Sequence, residues 1–203
     1  MKLRWVFLGR VDTHNQSEDE QNEVLSKVLE IKEEYKRKGW GWNRLKGDSI
    51  TRIVEHYLKK HLPRNIKLTR CGFVEGSGIE FDLLVVDKQA KAKKFTNVFS
   101  KDHVHLLIEV KGASAFYRQK DVEKLKKWKD RVCEVKKHIL YLSFWERSNY
   151  YDKLLKIIGR DDVFVLQVNN KTKQGEWKRF VRRLVSLLPS VNPNWKQKHA
   201  TQT

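Results

Sequence analysis

Ile79-Glu80-Phe81-Asp82-Leu83-Leu84-Val85-Val86-Asp87 and, further along, Val104-His105-Leu106-Leu107-Ile108-Glu109-Val110-Lys111 are the two stretches on which the reading of this chain turns. Both are short, apolar and rich in β-branched residues, as strands are. Side chains alternate across a strand. In the first stretch Ile79, Phe81, Leu83 and Val85 are therefore expected on one core-facing side, with Glu80 and Asp82 on the other. In the second, Glu109 and Lys111 point the same way at the end of an apolar run. Charges on such strands need a reason, because desolvating them is costly. If the two strands pair, Asp82 and Glu109 converge. Two carboxylates with a nearby backbone oxygen, that of Val110, make a hard-oxygen site suited to Mg2+ or Mn2+. A lysine beside them can hold a phosphate or position an attacking water.

Working outward, the elements around these strands follow from periodicity and breakers. Val24, Val28, Ile31 and Tyr35 recur at helical spacing, which predicts a helix over 18–38. Gly39-Trp40-Gly41-Trp42-Asn43 interrupts it as a linker. Gly47-Asp48-Ser49 reads as a helix N-cap, and Pro63 ends the helix that follows near Leu62. A strand at 66–74 precedes the turn Gly76-Ser77-Gly78. A lysine-rich loop, Lys88 to Lys94, separates the two decisive strands. A helix over 117–136 carries Val122, Leu125, Trp128, Val132 and Val135 on one stripe. Strands at 138–144 and 162–168 and helices at 149–158 and 174–188 complete the pattern. Short turns join the early strands antiparallel, and helical crossovers bring the later ones in parallel. The expectation is α/β: a mixed β-sheet flanked by helices. Residues 1–47 would form an N-terminal arm and helix, 48–190 the α/β domain and 191–203 a polar tail.

Charge points to the partner. The chain has 203 residues with 43 Lys plus Arg against 25 Asp plus Glu, a formal net charge of +18. Residues 1–48 carry only +1 of it, and residues 49–203 carry +17. A basic body of this kind attracts polyanions, of which nucleic acid is the commonest. Cys71 and Cys133 lack a C-x-x-C partner, so neither a zinc site nor a disulfide framework is indicated. A reduced intracellular compartment is expected. The apolar run Trp5-Val6-Phe7-Leu8 is too short to cross a bilayer, and no membrane partner is expected.

Gly78-Ile79-Glu80-Phe81-Asp82-Leu83 followed by Ile108-Glu109-Val110-Lys111-Gly112 resembles the PD-(D/E)XK nuclease superfamily, over roughly residues 48–145. The resemblance implies a restriction-endonuclease-like core of helix, three strands, helix and strand. It implies that Asp82 and Glu109 bind a divalent metal and that Lys111 assists phosphodiester hydrolysis. It also implies a further acidic ligand on the preceding helix, here Glu55, at the edge of a stripe of Ile50, Ile53, Val54, Tyr57 and Leu58. Several branches of the family carry a Gln facing the site from the next helix, which Gln119 matches. Glu80 and Ser114 are candidates for supporting the metal or a phosphate, whereas His105 reads better as a structural histidine. Phe81 stands where the name-giving proline would be, and the Asp82–Glu109 separation is long because the lysine-rich loop intervenes.

Two basic clusters are candidates for nucleic-acid contact: Lys91, Lys93 and Lys94 in the loop, and Lys178, Arg179, Arg182 and Arg183 on the last helix. The latter lie opposite an apolar face of Trp177, Phe180, Val181, Leu184, Leu187 and Leu188, and a merely solvated face explains them equally well. The apolar stripe of the first helix, with Trp40 and Trp42 beside it, suggests a homodimer; the alternative is that this helix covers its own sheet. The expected function is metal-dependent cleavage of DNA. The alternatives are a nucleic-acid-binding module that has lost cleavage and an assembly protein with a basic surface.

Overall fold

The computed structural model describes residues 13–36, 43–112, 123, 126–131 and 137–188. Gln119, Ser114, Trp40, Trp42, Cys133, the run Trp5–Leu8 and the tail 191–203 lie outside them. The strands expected from apolar alternation form as β1 (Ile66–Val74), β2 (Glu80–Asp87), β4 (Val104–Lys111) and β5 (His138–Ser143). Short β3 (Val98–Phe99) and β6 (Val163–Val165) complete a six-stranded sheet in the order β3-β1-β2-β4-β5-β6. β1, β2 and β4 are antiparallel neighbours, while β4, β5 and β6 run parallel. The sheet is thus mixed, and its central strands are buried on both faces, as crossover helices require.

One face is covered by α1 (Thr13–Lys36), α2 (Asn43–Lys59) and a C-terminal helix. Their Val24, Val28, Ile50, Val54, Leu58, Trp177 and Phe180 pack with Leu83, Val85, Leu106 and Ile108 of the sheet. The other face holds Leu84, Val86, Leu107 and Tyr141 against Leu154 and Ile157 of α3 (Ser148–Ile158), with Trp128 of the helical segment 126–131 packed alongside. The last helix, α4, spans Glu176–Leu187. No described helix is long and apolar enough to cross a membrane.

The structure departs from the sequence reading in four places. α2 begins at Asn43, so Asp48 lies inside the helix rather than at its N-cap. Its carboxylate instead accepts from Arg52 one turn on and from Arg70 of β1. Ile79 and Phe81 join the core around Leu84, not that around Leu83 and Val85, because Phe81 packs edge-on against Trp128 with ring centroids 6.2 Å apart. The strand expected over 162–168 divides: after β6 the chain turns into β7 (Gln167–Val168), which pairs with β8 (Lys171–Thr172) across a turn of Asn169 and Asn170 at positive φ and meets Glu146 through a single parallel bridge at Val168. β3 has no counterpart in the reading, since two residues leave no period to detect.

α1 belongs to the same core as the sheet. Its buried Gln21 donates to the Lys173 carbonyl at 2.9 Å and accepts from the Trp177 N–H at 3.0 Å, filling an orphan donor in the first turn of α4. Of the apolar stripe that suggested a homodimer, Val24 and Val28 are therefore buried in this chain's own core and Ile31 packs against it, and α2 begins at Asn43, ahead of residue 48.

Candidate active site

The β2–β4 register pairs Leu83 with Ile108, Leu84 with Leu107 and Val85 with Leu106. Continued by one residue, it sets Asp82 opposite Glu109. At that step the ladder changes character: the Val110 N–H donates to Asp82 Oδ2 at 2.7 Å instead of to a carbonyl. Glu109 and Lys111 stand two and four residues beyond Leu107, and Asp82 two before Leu84, so all three fall on the α3 side of the sheet. There they line one cleft of about 450 Å³ with Gly78, Ile79, Glu80, Trp128 and Arg131.

The electrostatics are those of a crowded acidic site in which Glu80, Asp82 and Glu109 face Lys111 and Arg131. The Glu109 side chain is 3% exposed and accepts a short hydrogen bond from the Lys111 ammonium. Burial pushes the Asp82 carboxyl above the usual carboxylate range, although Lys111, the Val110 N–H and Glu109 pull the other way. Burial alone would lower Lys111, but the charges of Glu109 and Asp82 outweigh it and hold the ammonium above its ordinary value. Tyr141, paired with Glu109 across β5, is held well above the usual phenol range by burial and by Glu146, Glu109 and Asp82. Its hydroxyl has no hydrogen-bond partner among the described residues.

Glu55 does not join this cleft. α2 packs on the opposite face of the sheet, and the Glu55 carboxylate is paired with Lys59 and with Arg70, both at 2.9 Å. The expectation that it supplies an acidic ligand is thus at odds with its placement. Glu80 is exposed but lines the cleft. His105 is structural, as read: its Nε2 lies 2.7 Å from Asp87 Oδ1, at the far end of the strands.

The basic candidates divide. Arg179 is bound to Glu176 and to the Val163 carbonyl and stacks over Phe164, and Arg183 pairs with Asp162 at 2.8 Å. Their physical role includes tying α4 to β6 and the turn before it, which leaves Arg182 as the exposed cation of that cluster, with Lys178 half-buried. In the loop, Lys93 pairs with Glu75, while Lys91 and Lys94 are exposed. Sequence reasoning missed Arg131 and the cleft-lining role of Trp128. Both come from a helix whose stripe read only as core, and no local pattern relates them to strands some 20–50 residues earlier.

Among the described residues no group of three or more His, Cys, Asp or Glu is placed to hold a metal ion. Two carboxylates, Asp82 and Glu109, do converge, with Glu80 on the same cleft and the Val110 carbonyl on the strand between Glu109 and Lys111. That donor set fits Mg2+, which is bound through one or two carboxylates and completed by water and substrate phosphate.

No protein-family model matches the chain, and no curated protein does. Solved structures do resemble it, among them two of NucC. The cAAA-bound form of E. coli MS115-1 NucC aligns with a TM-score of 0.60 at 16% identity, covering 96% of this chain and 100% of that one. The cAAA-bound form of P. aeruginosa ATCC27853 NucC aligns with a TM-score of 0.49 at 15% identity, covering 67% of this chain and 65% of that one. The chain therefore has the restriction-endonuclease-like fold of E. coli NucC, the fold that the PD-(D/E)XK resemblance of β2 and β4 implies.

Proposed function

We propose that this protein is a metal-dependent nuclease that hydrolyses phosphodiester bonds in DNA. The observation that carries the reading is the convergence of Asp82, Glu109 and Lys111 in one cleft, on adjacent strands of a restriction-endonuclease-like sheet. Asp82, Glu109 and the Val110 carbonyl would hold Mg2+ or Mn2+. The ion, when bound, neutralises phosphate charge and activates water. Lys111, kept charged by its two acidic neighbours, orients the attacking water and steadies the charge that develops on the phosphate. Arg131 stands on the cleft wall as a second cation for the phosphate. Gln119 and Ser114, just beyond β4, are proposed to face the same cleft. Glu80, which lines the same cleft, would bind water of the metal's shell. The net charge of +17 over residues 49–203 draws the polyanion in. A homodimer would present two clefts, one to each strand of a duplex; light scattering at high micromolar concentration tests it.

The deciding experiment incubates purified protein with linear, branched and single-stranded DNA in Mg2+, Mn2+ or EDTA. Metal-dependent products that vanish with Asp82→Ala and Glu109→Ala are expected. The pairing of Glu55 with Arg70 and Lys59, away from the cleft, favours one rival: a module that binds nucleic acid without cutting it. Binding without products in any metal would establish that rival.

A further inference from the structure

Phe95 is 94% exposed, the most exposed of the large hydrophobic side chains among the described residues, and its backbone sits at φ 62°. Both facts run against expectation. A bulky side chain at positive φ is an outlier, and a lone aromatic at a loop tip gains nothing from burial. The turn around it is nevertheless firmly built. The Lys93 N–H donates to the Val98 carbonyl at 2.8 Å, and the Thr96 N–H to the Lys93 carbonyl at 2.9 Å. Thr96 Oγ1 also donates to the Lys93 carbonyl at 2.9 Å and accepts from the Val98 N–H at 3.3 Å. Lys93 is anchored to Glu75. The strained residue is thus held outward by its neighbours, which is where strain points to a role.

The turn also has a defined place relative to the cleft. Asn97 Nδ2 donates to the Cys71 carbonyl at 3.1 Å, and the Asn97 carbonyl accepts from the Phe73 N–H at 2.9 Å. The β1–β2 register, Arg70 with Leu83 and Gly72 with Phe81, sets Cys71 opposite Asp82. The turn therefore leaves the sheet edge on the same transverse row as the carboxylates. From β3 to β2 is two strand spacings, roughly 10 Å, or about three phosphate steps along one nucleic-acid strand. Exposed Lys94 adjoins Phe95, with its ammonium 5.0 Å from the ring centroid, and exposed Lys91 lies four residues before Phe95 in the same loop. Among the described residues neither lysine has a carboxylate partner.

We propose that the 93–97 turn is a nucleic-acid grip, in which Phe95 stacks on or wedges against a base of the DNA while Lys91 and Lys94 hold the flanking phosphates. A π-face beside cations that have no carboxylate partner among the described residues matches a base beside its phosphates, whereas an acidic peptide offers no base to stack on. Lysines on a sheet edge also discourage strand pairing, but that role calls for no exposed phenylalanine. The inference rests on the reading of the chain as a DNA-binding nuclease.

Its test compares Phe95→Ala, Phe95→Tyr and the double variant Lys91→Glu/Lys94→Glu with the unaltered chain. Affinity for fluorescein-labelled duplex and single-stranded DNA is measured by anisotropy in Ca2+, and base unstacking by 2-aminopurine emission. Phe95→Ala is expected to weaken binding by about 5- to 150-fold, the range of one base–aromatic stack, and to abolish the 2-aminopurine change. Phe95→Tyr keeps both, and the lysine pair lowers the salt dependence of binding. Phe95→Ala binding like the unaltered chain, whatever the lysines do, overturns the grip while leaving the nuclease reading intact. So does loss of self-association by Phe95→Ala in sedimentation with DNA affinity unchanged, which makes the turn a contact between copies. Absence of DNA binding by the unaltered chain defeats both.

Discussion

The Val110 N–H donates to Asp82 Oδ2, so the carboxylate of β2 takes the place of a carbonyl in the β2–β4 ladder. Asp82 thereby does two jobs, closing a backbone hydrogen bond and presenting charge to the cleft, and different substitutions separate them. Asn retains an acceptor for Val110 and removes a charge that burial disfavours. Asp82→Asn is expected to melt no lower than the unaltered protein. A gain of ~1 kcal/mol corresponds to about 2–4 °C at this size. Asp82→Ala orphans the Val110 N–H at a cost of about 1–3 kcal/mol and melts lower. Both abolish cleavage. Scanning fluorimetry that ranks Asn below Ala contradicts the assignment.

The pH dependence follows from the same carboxyl. Burial raises Asp82 above the ordinary carboxylate value of 3.8, against the pull of Lys111, Val110 and Glu109. Its ionised form is the one that can bind a cation, so cleavage should fall as pH drops through that raised value. For stability the sign is opposite: folded Asp82 binds its proton more tightly than the unfolded chain does. It adds stability as pH falls through the folded value and withdraws it as pH rises. The melting advantage of Asp82→Asn should therefore be largest near neutrality and shrink on acidification. An advantage that grows toward low pH refutes the raised value.

The first helix supplies a stability test remote from the chemistry. Gln21 is fully buried and satisfies both the Lys173 carbonyl and the Trp177 N–H. Gln21→Leu fills much of the space but leaves two backbone groups without partners. A loss of about 1–3 kcal/mol per orphaned group is expected, with cleavage unaffected below the melting transition. A Gln21→Leu protein as stable as the original would show that α1 is not fastened to α4 in this way.

How much of this was legible in the sequence depends on scale. β2 and β4 announce themselves because their runs are apolar and β-branched apart from the carboxylates Glu80, Asp82 and Glu109; the convergence of Asp82 with Glu109 was legible only on condition that the two strands pair. α2 was visible through Ile50, Val54 and Leu58, but its start was not. Asp48 has the chemistry of an N-cap, and only its pairing with Arg52 and the distant Arg70 shows that its carboxylate is engaged elsewhere. Glu55 fails for a related reason: periodicity places it at a stripe's edge without saying which face of the sheet the stripe covers. Arg131 and Phe95 depend on where a helix docks and how a turn is stitched, and no local period encodes either.

Salt dependence tests the charge argument as a whole. If the basic body meets phosphates, log affinity for DNA should fall linearly with log salt, losing about 10³-fold or more between 50 and 200 mM for six or more contacts. Arg182 is exposed on α4, whereas Arg179 and Arg183 are tied to Glu176, Asp162 and backbone. Arg182→Glu should accordingly weaken binding without changing the melting point, and Arg183→Glu should lower the melting point first. Equal effects of the two on stability would show that the α4–β6 ties contribute nothing.

Lys111 gives the sharpest test of the proposed chemistry. Its ammonium neutralises Glu109, whose side chain is 3% exposed, and is itself 34% exposed. Removing one partner of a fully buried pair costs roughly 3–5 kcal/mol; with Lys111 partly solvated, the loss should fall at or below the low end of that range. Lys111→Ala is therefore expected to fold with a lowered melting point, and Mg2+ should raise that point more than it raises the original's, because the ion takes over the ammonium's place beside Glu109. Lys111→Arg, which keeps the charge, serves as the control should the alanine variant be too unstable. Cleavage by Lys111→Ala should drop about 100-fold or more, the scale of losing one charge-stabilising donor, while DNA affinity in Ca2+ stays within a few-fold. Asp82→Ala and Glu109→Ala should instead lose both the Mg2+ effect on melting and the cleavage. Cleavage near the original level by a folded Lys111→Ala protein would remove the lysine from the mechanism and return it to an ion pair at a strand end.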